Sequence, residues 1–173
     1  SGDTLVAAGA APRTWFDRAG GMAPALSGVG SYVEHRLSPR ELPGLAQLVA
    51  EELDVDINKV KVEFAPPAEV YINSLLGGQI TGGSTSVRDA WEKLRKAGAS
   101  ARMLLVAAAA QEWGVDASQV RAENGNLIGP GGKRMSYGMA APKAAQMEPP
   151  KDVPLKPASS FKVVGNAKQK RLD

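Results

Sequence analysis

A run of glycine and hydroxyl residues stands in front of a charged helical segment. It reads LLGGQITGGSTSVRDAW over residues 75–91, named the glycine stretch, and holds four glycines and four Ser or Thr residues. Glycine lets backbone N–H groups approach an anion with no side chain in the way. A helix start adds unpaired N–H donors and the positive end of the helix dipole, which together stabilise a phosphate. The chemistry that this pattern indicates is anion binding.

The same residues also fit a plainer structural role. A glycine-rich lead closed by Ser or Thr is common before a helix, and Ser86-x-x-Asp89 matches a capping box with Asp in place of Glu. The stretch lacks the P-loop lysine and does not directly follow a strand, so it matches neither common phosphate-binding fingerprint. Spacing alone leaves both interpretations open.

Composition limits the other kinds of site. The chain has no cysteine and a single histidine, His35, which excludes disulfides, thiolate metal sites and cysteine nucleophiles within it. His35 lies beside two charged residues and is interpreted as a surface or edge-strand histidine. We interpret Glu51-Glu52 as a solvated helix end rather than a metal-binding carboxylate pair. No metal ligand and no catalytic residue is predicted.

The overall composition is that of an ordinary globular chain. Its 173 residues are 43% hydrophobic and 23% charged, with a net charge of +3. Much of the positive excess lies in the final KVVGNAKQKRLD, which has none of the aromatic residues of a nucleic-acid surface. No apolar run is long enough to span a membrane, and no secretion signal is visible. We expect no nucleic-acid partner and no membrane span.

Hydrophobic periodicity predicts the elements that position the glycine stretch. Apolar residues recur at helical spacing from Leu42 to Leu53, and a second helix is expected from about Val87. KVKVEF alternates and predicts a strand. Farther along, ENGNLIGPGGKRMSYG predicts a hairpin with a glycine turn, and SYGMAAPKAAQM a short helix interrupted by Pro142. FKVVG is expected to add an edge strand.

The aromatic residues suggest where the core lies. Trp91 falls on the apolar stripe of the second helix and Trp113 at its end, so both are predicted to anchor the core. Trp15-Phe16 stands in an irregular Gly/Ala-rich segment. For that pair, burial within this chain and docking on a neighbouring domain both stay open.

An internal sequence repeat, named the echo, indicates the architecture. AEELDVDINKVKVE, residues 50–63, matches AQEWGVDASQVRAE, residues 110–123, with Ala, Glu, Val, Asp, Val and Glu shared in step. Each copy is a helix end, a polar turn and a strand, so two related helix–strand units are expected in an α/β fold, with α+β as the alternative. The predicted organisation is an irregular N-terminal arm (1–38), an α/β segment (39–147), and a proline-rich connector with an edge strand leading to a further domain (148–173).

Several long stretches of the chain, taken in order, resemble one family. They are LVAEELDVDINKVKVEFAP (48–66), LLGGQITGGSTSVRDAWEKLRKAGASARMLLVAAAAQEWGV (75–115), VRAENG (120–125), PPKDVPLK (149–156) and FKVVGNAKQKRLD (161–173). These stretches resemble the large, cofactor-binding subunit of bacterial molybdenum hydroxylases, of the isoquinoline 1-oxidoreductase beta-subunit type within the xanthine dehydrogenase and aldehyde oxidase family. The resemblance covers about residues 44–173 and places the chain just before the hammerhead domain.

The resemblance implies a part of an oxidoreductase that is inactive alone. Family members hydroxylate aromatic N-heterocycles or aldehydes with water, using a molybdopterin dinucleotide, usually the cytosine form in bacteria. Electrons pass to [2Fe–2S] clusters in a small partner subunit and, in this branch, to cytochrome c. Other implied partners are the hammerhead and molybdenum domains of the large subunit. The implied cofactor-binding residues are Gly77, Gly78, Gln79, Thr81, Gly82, Gly83, Ser84, Thr85 and Ser86.

Two departures from the family pattern keep alternatives open. Leu37, Ser38, Pro39 and Arg40 stand where the family has a Met-Gly-Gln-Gly-like stretch, and the family's catalytic glutamate has no counterpart here. The chain is therefore also interpretable as an assembly module of the same descent that has lost its cofactor, or as an unrelated nucleotide or polyanion binder. The location that the family implies is the bacterial periplasm or the periplasmic face of the membrane, with the cytoplasm as the alternative.

Overall fold

Two crossing helices dominate the structure. The computed structural model of the chain describes residues 5–7, 42–62, 72–78, 83 and 85–166. Helix α1 is Leu42–Leu53 and helix α2 is Ser86–Trp113, and a short helix α3, Tyr137–Ala144, packs on α2. Within these described ranges, no helix is both long enough and apolar enough to cross a membrane. The mixture of helices and strands confirms the expected fold class.

The strands that the structure describes form two small sheets. Strand β1, Leu5–Ala7, pairs in parallel with β2, Val60–Val62, which lies in the predicted KVKVEF strand. Strands β3, Arg121–Glu123, β4, Asn126–Ile128, and β5, Arg134–Ser136, form an antiparallel sheet in chain order. The predicted hairpin, formed by β4 and β5, is therefore confirmed. Strand β3 adds a second hairpin with β4, and the three strands together are named the double hairpin.

The first turn of this double hairpin follows directly from its sequence. Asn124 and Gly125 both have positive φ, 48° and 78°, as a two-residue type I′ turn requires. After β4, the ring of Trp113 covers Gly129, where an added Cβ would lie 2.6 Å from the ring carbons. Trp113 packs partly buried against the core, which confirms its predicted role as an anchor.

The two copies of the echo fold alike. Each helix ends in a residue with left-handed backbone, Asp54 (φ 60°) or Gly114 (φ 66°). The next N–H donates to the carbonyl five residues earlier, at 3.2 and 3.0 Å, which is the bond of a Schellman helix end. Asp56 and Asp116 then cap one turn of 3-10 helix before β2 and β3. The prediction of two related helix–strand units is confirmed.

Helices α1 and α2 approach closely because a glycine stands at their contact. A Cβ at Gly98 would lie 2.8 Å from the Val49 carbonyl oxygen and 3.1 Å from Glu52 Cβ. Around this contact the core is formed by leucines and alanines of both helices, with Leu94 fully buried. The apolar stripe predicted for the second helix faces this core, with Trp91 as the exception.

Trp91 is not a core anchor, so that prediction is wrong. Its side chain is 39% exposed, and its ring faces that of Phe161 with the centroids 6.4 Å apart. The guanidinium of Arg95 lies 5.4 Å from the Trp91 centroid and 5.0 Å from that of Phe161. The two rings thus stabilise a buried cation at the edge of the molecule.

Residues 153–166, named the strap, cross the end of α1 without forming a strand. The backbone N–H groups of Lys162, Val163 and Val164 all donate to the carboxylate of Glu51, at 2.6–3.1 Å. Three successive N–H groups can reach one acceptor only in a bent backbone, because successive N–H groups of a strand point to opposite sides. The predicted edge strand FKVVG is therefore wrong.

The end of α1 is buried, so the predicted solvated carboxylate pair is also wrong. Glu51 and Glu52 are only 1% and 0% exposed. The carboxylate of Glu52 accepts from Arg95 Nε at 2.9 Å and from the backbone N–H of Lys156 at 3.2 Å. Arg95 Nη2 lies 2.7 Å from the same carboxylate. These two glutamates bind the strap and α2 to α1.

Helix α3 continues through Pro142 to Ala144, so the predicted interruption is wrong. The donor that proline lacks would serve the carbonyl of Gly138, which is exposed and can be hydrated instead. At the other end of α3, the Tyr137 hydroxyl donates to the Leu53 carbonyl at 2.7 Å. Burial raises the pKa of this hydroxyl well above its usual range, so it stays a donor.

The helix crossing can be tested with two Gly→Ala changes of opposite expected sign. Gly98→Ala places a methyl against a backbone oxygen, and we expect a loss of about 2 kcal/mol in the free energy of unfolding. At Gly44 of α1 the nearest atom to an added Cβ is Val87 Cγ2 at 3.8 Å. Gly44→Ala should therefore gain up to about 1 kcal/mol from helix propensity. Urea unfolding followed by circular dichroism measures both, and equal effects would contradict the close crossing.

The buried end of α1 can be tested at Glu52, because the equivalent residue in the second copy of the echo serves as a control. Glu52→Gln leaves the buried Arg95 without a charged partner, and we expect a loss of about 3 kcal/mol in the free energy of unfolding. Glu112, the equivalent residue in the second copy, is 58% exposed and pairs with Lys143 at 3.0 Å. Glu112→Gln should cost no more than about 1 kcal/mol. Similar losses in both variants, measured by urea unfolding, would show that the Glu52 contacts contribute little.

Candidate anion-binding site

Among the residues that the structure describes, none caps the first turn of α2 with its side chain. Thr85 precedes the helix with helical backbone angles, φ −86° and ψ −15°, and makes no capping hydrogen bond. The predicted capping box is wrong, because α2 already begins at Ser86 and the carboxylate of Asp89 binds elsewhere. The first N–H groups of a helix have no partner within it. An uncapped start therefore offers them to the oxygens of a ligand.

Ser86, the first residue of α2, carries a buried polar atom with no hydrogen-bond partner. Its side chain is 1% exposed, and its Oγ makes no hydrogen bond with the described residues. Leaving such a group unsatisfied costs about 1–3 kcal/mol. Side chains of a helix lean toward its N-terminus, so this hydroxyl lies at the start of α2. An oxygen of a bound anion would satisfy it.

Residues 72–78 form a tight turn rather than a flexible lead. Asn73 and Gly78 pair as an isolated antiparallel bridge, and the Asn73 carbonyl accepts from the N–H groups of Leu76 at 3.2 Å and Gly77 at 2.8 Å. Gly77 has φ 68°, and a Cβ built there would meet nothing within 4 Å. The turn is held closed by its own backbone and is open above Gly77.

Buried polar contacts hold this turn on the start of α2. Asn73 is 1% exposed, and its Nδ2 donates to Thr85 Oγ1 at 3.0 Å. Ser74 donates to the Asp89 carboxylate from its N–H, at 3.2 Å, and from its hydroxyl. Lys93 Nζ donates to both oxygens of the same carboxylate at 2.8–2.9 Å. Because Lys93 neutralises Asp89, this carboxylate does not exclude an anion from the helix start.

No sequence motif marks Asn73, Ser74 or Lys93 as site residues. Asn73 meets its partner Thr85 twelve residues away, and no local pattern marks that contact or its burial. The spacing of Asp89 and Lys93, four residues apart on one helix face, is the one signal that the sequence offered. These side chains position the glycine stretch rather than belong to it.

Part of the predicted site lies among the described residues. Gly77, Gly78, Gly83, Thr85 and Ser86 are described, and Asn73 links the first two to Thr85. The other predicted residues and several weighed above lie outside the described part of the chain: Gln79, Thr81, Gly82, Ser84, His35, Trp15, Phe16 and Leu37–Arg40. The cofactor-binding role of the glycine stretch stays a prediction.

The surroundings of the turn suit a large organic anion. Ile72, Leu75 and Leu76 are 42%, 55% and 42% exposed on the turn itself. Cofactor sites are mostly apolar surfaces with a few placed polar groups, and here the polar groups are N–H and hydroxyl donors. Across the described part of the chain, no cluster of three or more His, Cys, Asp or Glu could hold a metal. Donors of this kind suit the oxygens of an anion.

Three named proteins are similar to this chain, although no family model matches it. The chain is 33% identical over 134 residues to the membrane-bound aldehyde dehydrogenase [pyrroloquinoline-quinone] of Gluconacetobacter polyoxogenes, covering 75% of the chain and 17% of that protein. It is 41% identical over 86 residues to the beta subunit of isoquinoline 1-oxidoreductase from Brevundimonas diminuta, covering 49% and 11%.

The third relative extends the same pattern. One subunit of the nicotinate dehydrogenase of Pseudomonas putida is 31% identical over 129 residues, which cover 71% of the chain and 10% of that protein. All three are named as oxidoreductases, and two of them as one subunit of a larger enzyme. The chain spans between 10% and 17% of their lengths, so it matches only one part of such a protein.

The anchoring of the turn can be tested through Asn73. In Asn73→Ala the N–H of Leu75 loses its acceptor, which Asn73 Oδ1 provides at 2.9 Å, and Thr85 loses a donor. We expect a loss of about 1–2 kcal/mol in the free energy of unfolding. Amide hydrogen exchange at residues 75–77 should become faster. Asn58→Ala, which removes an exposed bond to Asp56, is the control. Unchanged exchange at residues 75–77 would contradict the anchoring role.

Proposed function

Because this chain belongs to the molybdenum hydroxylase family, we propose that it forms the part of an oxidoreductase that holds a phosphate-bearing region of a molybdopterin cofactor. The family resemblance runs in order through the chain, and the three relatives carry oxidoreductase names. The relatives are far longer than the matched segment, so the catalytic activity belongs to a larger assembly that includes this chain.

The observation that carries the proposal is the uncapped start of α2 with the unpaired, buried Ser86 hydroxyl. Beside it the turn at Gly77-Gly78 and the glycine at position 83 present backbone without side chains. Gly83 has φ 57°, a conformation that glycine adopts without strain. In this proposal the helix N–H groups and Ser86 hold phosphate oxygens, and the glycines allow the cofactor to approach closely.

In this proposal the cofactor and the chain have different roles. A bound molybdopterin supplies the metal-centred redox chemistry, and this chain's residues bind and orient its anionic region. The proposal includes the cytosine dinucleotide form of the cofactor and hydroxylation of an aromatic N-heterocycle or an aldehyde with water. The names of the relatives, which include isoquinoline, nicotinate and aldehyde oxidoreductases, support that substrate range.

The proposed partners and location also rest on the family resemblance. They are the hammerhead and molybdenum domains of the large subunit, a small subunit with [2Fe–2S] clusters, and cytochrome c. The proposed location is the bacterial periplasm or the periplasmic face of the membrane, and the aldehyde dehydrogenase relative is named as membrane-bound. Two relatives named as subunits support a multi-subunit enzyme.

A second candidate function is an assembly module that holds no cofactor. The observation in its favour is the exposure of three large apolar side chains, Ile72, Leu75 and Leu76, on a turn that is fixed by buried contacts. A rigid apolar projection of this kind suits docking on another protein surface. Cofactor content separates the two candidates.

The first test is the cofactor content of the native assembly. We expect molybdenum by elemental analysis and a released pterin by fluorescence, both stoichiometric with this chain and its co-purifying chains. The aldehyde dehydrogenase relative is named for pyrroloquinoline quinone, so that quinone is assayed in the same extract. Quinone without a pterin would contradict the molybdopterin proposal. Absence of every cofactor from a fully assembled complex would favour the assembly module.

A charge test then locates the site. Gly83→Asp places a carboxylate beside the proposed phosphates, whereas Gly83→Asn has nearly the same shape without the charge, and both residues tolerate positive φ. An added Cβ at Gly83 lies 3.8 Å from Thr85 Cγ2, an ordinary contact. We expect the Asp variant to purify with less than about a tenth of the wild-type cofactor because of repulsion, and the Asn variant with most of it. Equal retention would show that the glycine stretch is not the site.

A further inference from the structure

Arg88 differs from the other basic residues of α2 because it has no carboxylate partner among the described residues. The helix carries five basic residues, and four have a carboxylate partner among the described residues. The pairs are Lys93–Asp89, Arg95–Glu52, Lys96–Glu92 and Arg102–Glu52, the last at 4.0 Å. Arg88 is exposed and makes no ion pair or hydrogen bond with the described part of the chain.

The position of Arg88 makes its lack of a partner informative. It lies in the first turn of α2, where the helix dipole disfavours a cation. Glu92 is one turn away and at the spacing of an ion pair with Arg88, yet its carboxylate pairs with Lys96 at 2.6 Å. The carboxylate of Asp89 accepts from Lys93 and Ser74. The start of α2 therefore carries a net positive charge that the described residues do not compensate.

We propose that Arg88 and Ser86 together bind one phosphate of the ligand, with Arg88 supplying the charge and Ser86 a buried donor. This inference rests on the proposed function and deepens it, because it assigns the phosphate contact to two residues and makes charge pairing part of recognition. Both side chains lean toward the helix start, Ser86 on the buried side and Arg88 on the solvent side. Arginine suits phosphate because its guanidinium offers several fixed donors. A phosphate satisfies at one place the unpaired hydroxyl, the uncapped helix N–H groups and the unpaired cation.

The test uses inorganic pyrophosphate as the probe and the full chain with its co-purifying chains, stripped of bound cofactor. The affinity is taken from the dependence of the melting temperature on pyrophosphate concentration. We expect Arg88→Gln to weaken binding about tenfold and Ser86→Ala to weaken it several-fold. Arg121→Gln is the matched control, because Arg121 is also an exposed arginine and lies on β3, away from the start of α2. It should change the affinity less than about twofold.

The melting temperatures without ligand give a second measurement, in which the two variants should equal or exceed wild type although they bind pyrophosphate less tightly. Arg88→Gln removes a cation from the positive end of a helix, and Ser86→Ala removes an unsatisfied buried hydroxyl, so neither variant should melt below wild type. A purely structural role would lower both temperatures. Weaker binding at unchanged or higher ligand-free stability is thus the signature of the proposed contact.

Several outcomes would overturn the inference. Unchanged pyrophosphate affinity in Arg88→Gln would remove Arg88 from the site, and equal losses in Arg88→Gln and Arg121→Gln would reveal only diffuse charge attraction. If the native assembly contains the cofactor while Arg88→Gln binds pyrophosphate like wild type, the Arg88 assignment fails and the proposed function stands. If the native assembly holds no cofactor and wild type binds no pyrophosphate, both fail.

Discussion

The buried C-terminus of α1 is the constraint on which the rest of the structure depends. The last carbonyls of a helix have no partner within it, and burial denies them water. Here each is met by a donor from a different element. The carbonyls of Glu51, Glu52, Leu53 and Asp54 accept in turn from Lys156 Nζ at 2.6 Å, Arg102 Nε at 2.6 Å, the Tyr137 hydroxyl at 2.7 Å and the Gly125 N–H at 2.9 Å. Strap, α2, α3 and hairpin are thereby joined at one helix end.

This arrangement also fixes the helix that bears the candidate site. Arg95 and Arg102 bind α2 to Glu52, and Gly98 between them allows the two backbones to meet. Two of the donors to α1 are cations at the negative end of a helix dipole, which is the favourable arrangement. Because α2 is one continuous helix, its contacts near residues 95–102 determine where its first turn lies. Asn73 and Ser74 then position the glycine turn against that first turn.

The echo shows how far the sequence could predict the fold and where it could not. Both copies carry the same helix end, left-handed residue and capping aspartate, because these depend on neighbours in sequence. Burial depends on packing partners that are distant in sequence, so the equivalent residues Glu52 and Glu112 are 0% and 58% exposed in the side chain. The same limit explains the error at Trp91, whose partner Phe161 comes from the strap. In the glycine stretch, composition indicated an anion site, but the Asn73 contact and the orphan Ser86 hydroxyl required the structure.

The C-terminus of α1 and the N-terminus of α2 differ in how their polar groups are satisfied, and this difference favours a ligand at the start of α2. At the end of α1 every charge and carbonyl named above has a partner, as the stability of a buried polar cluster requires. At the start of α2 the nearest acid, Asp89, is neutralised by Lys93, Arg88 has no partner among the described residues, and the Ser86 hydroxyl is buried without one. A helix start shaped for stability alone would carry a free acid or a side-chain cap there. Local departures of this kind are expected at functional sites, where a bound ligand can complete the unsatisfied groups.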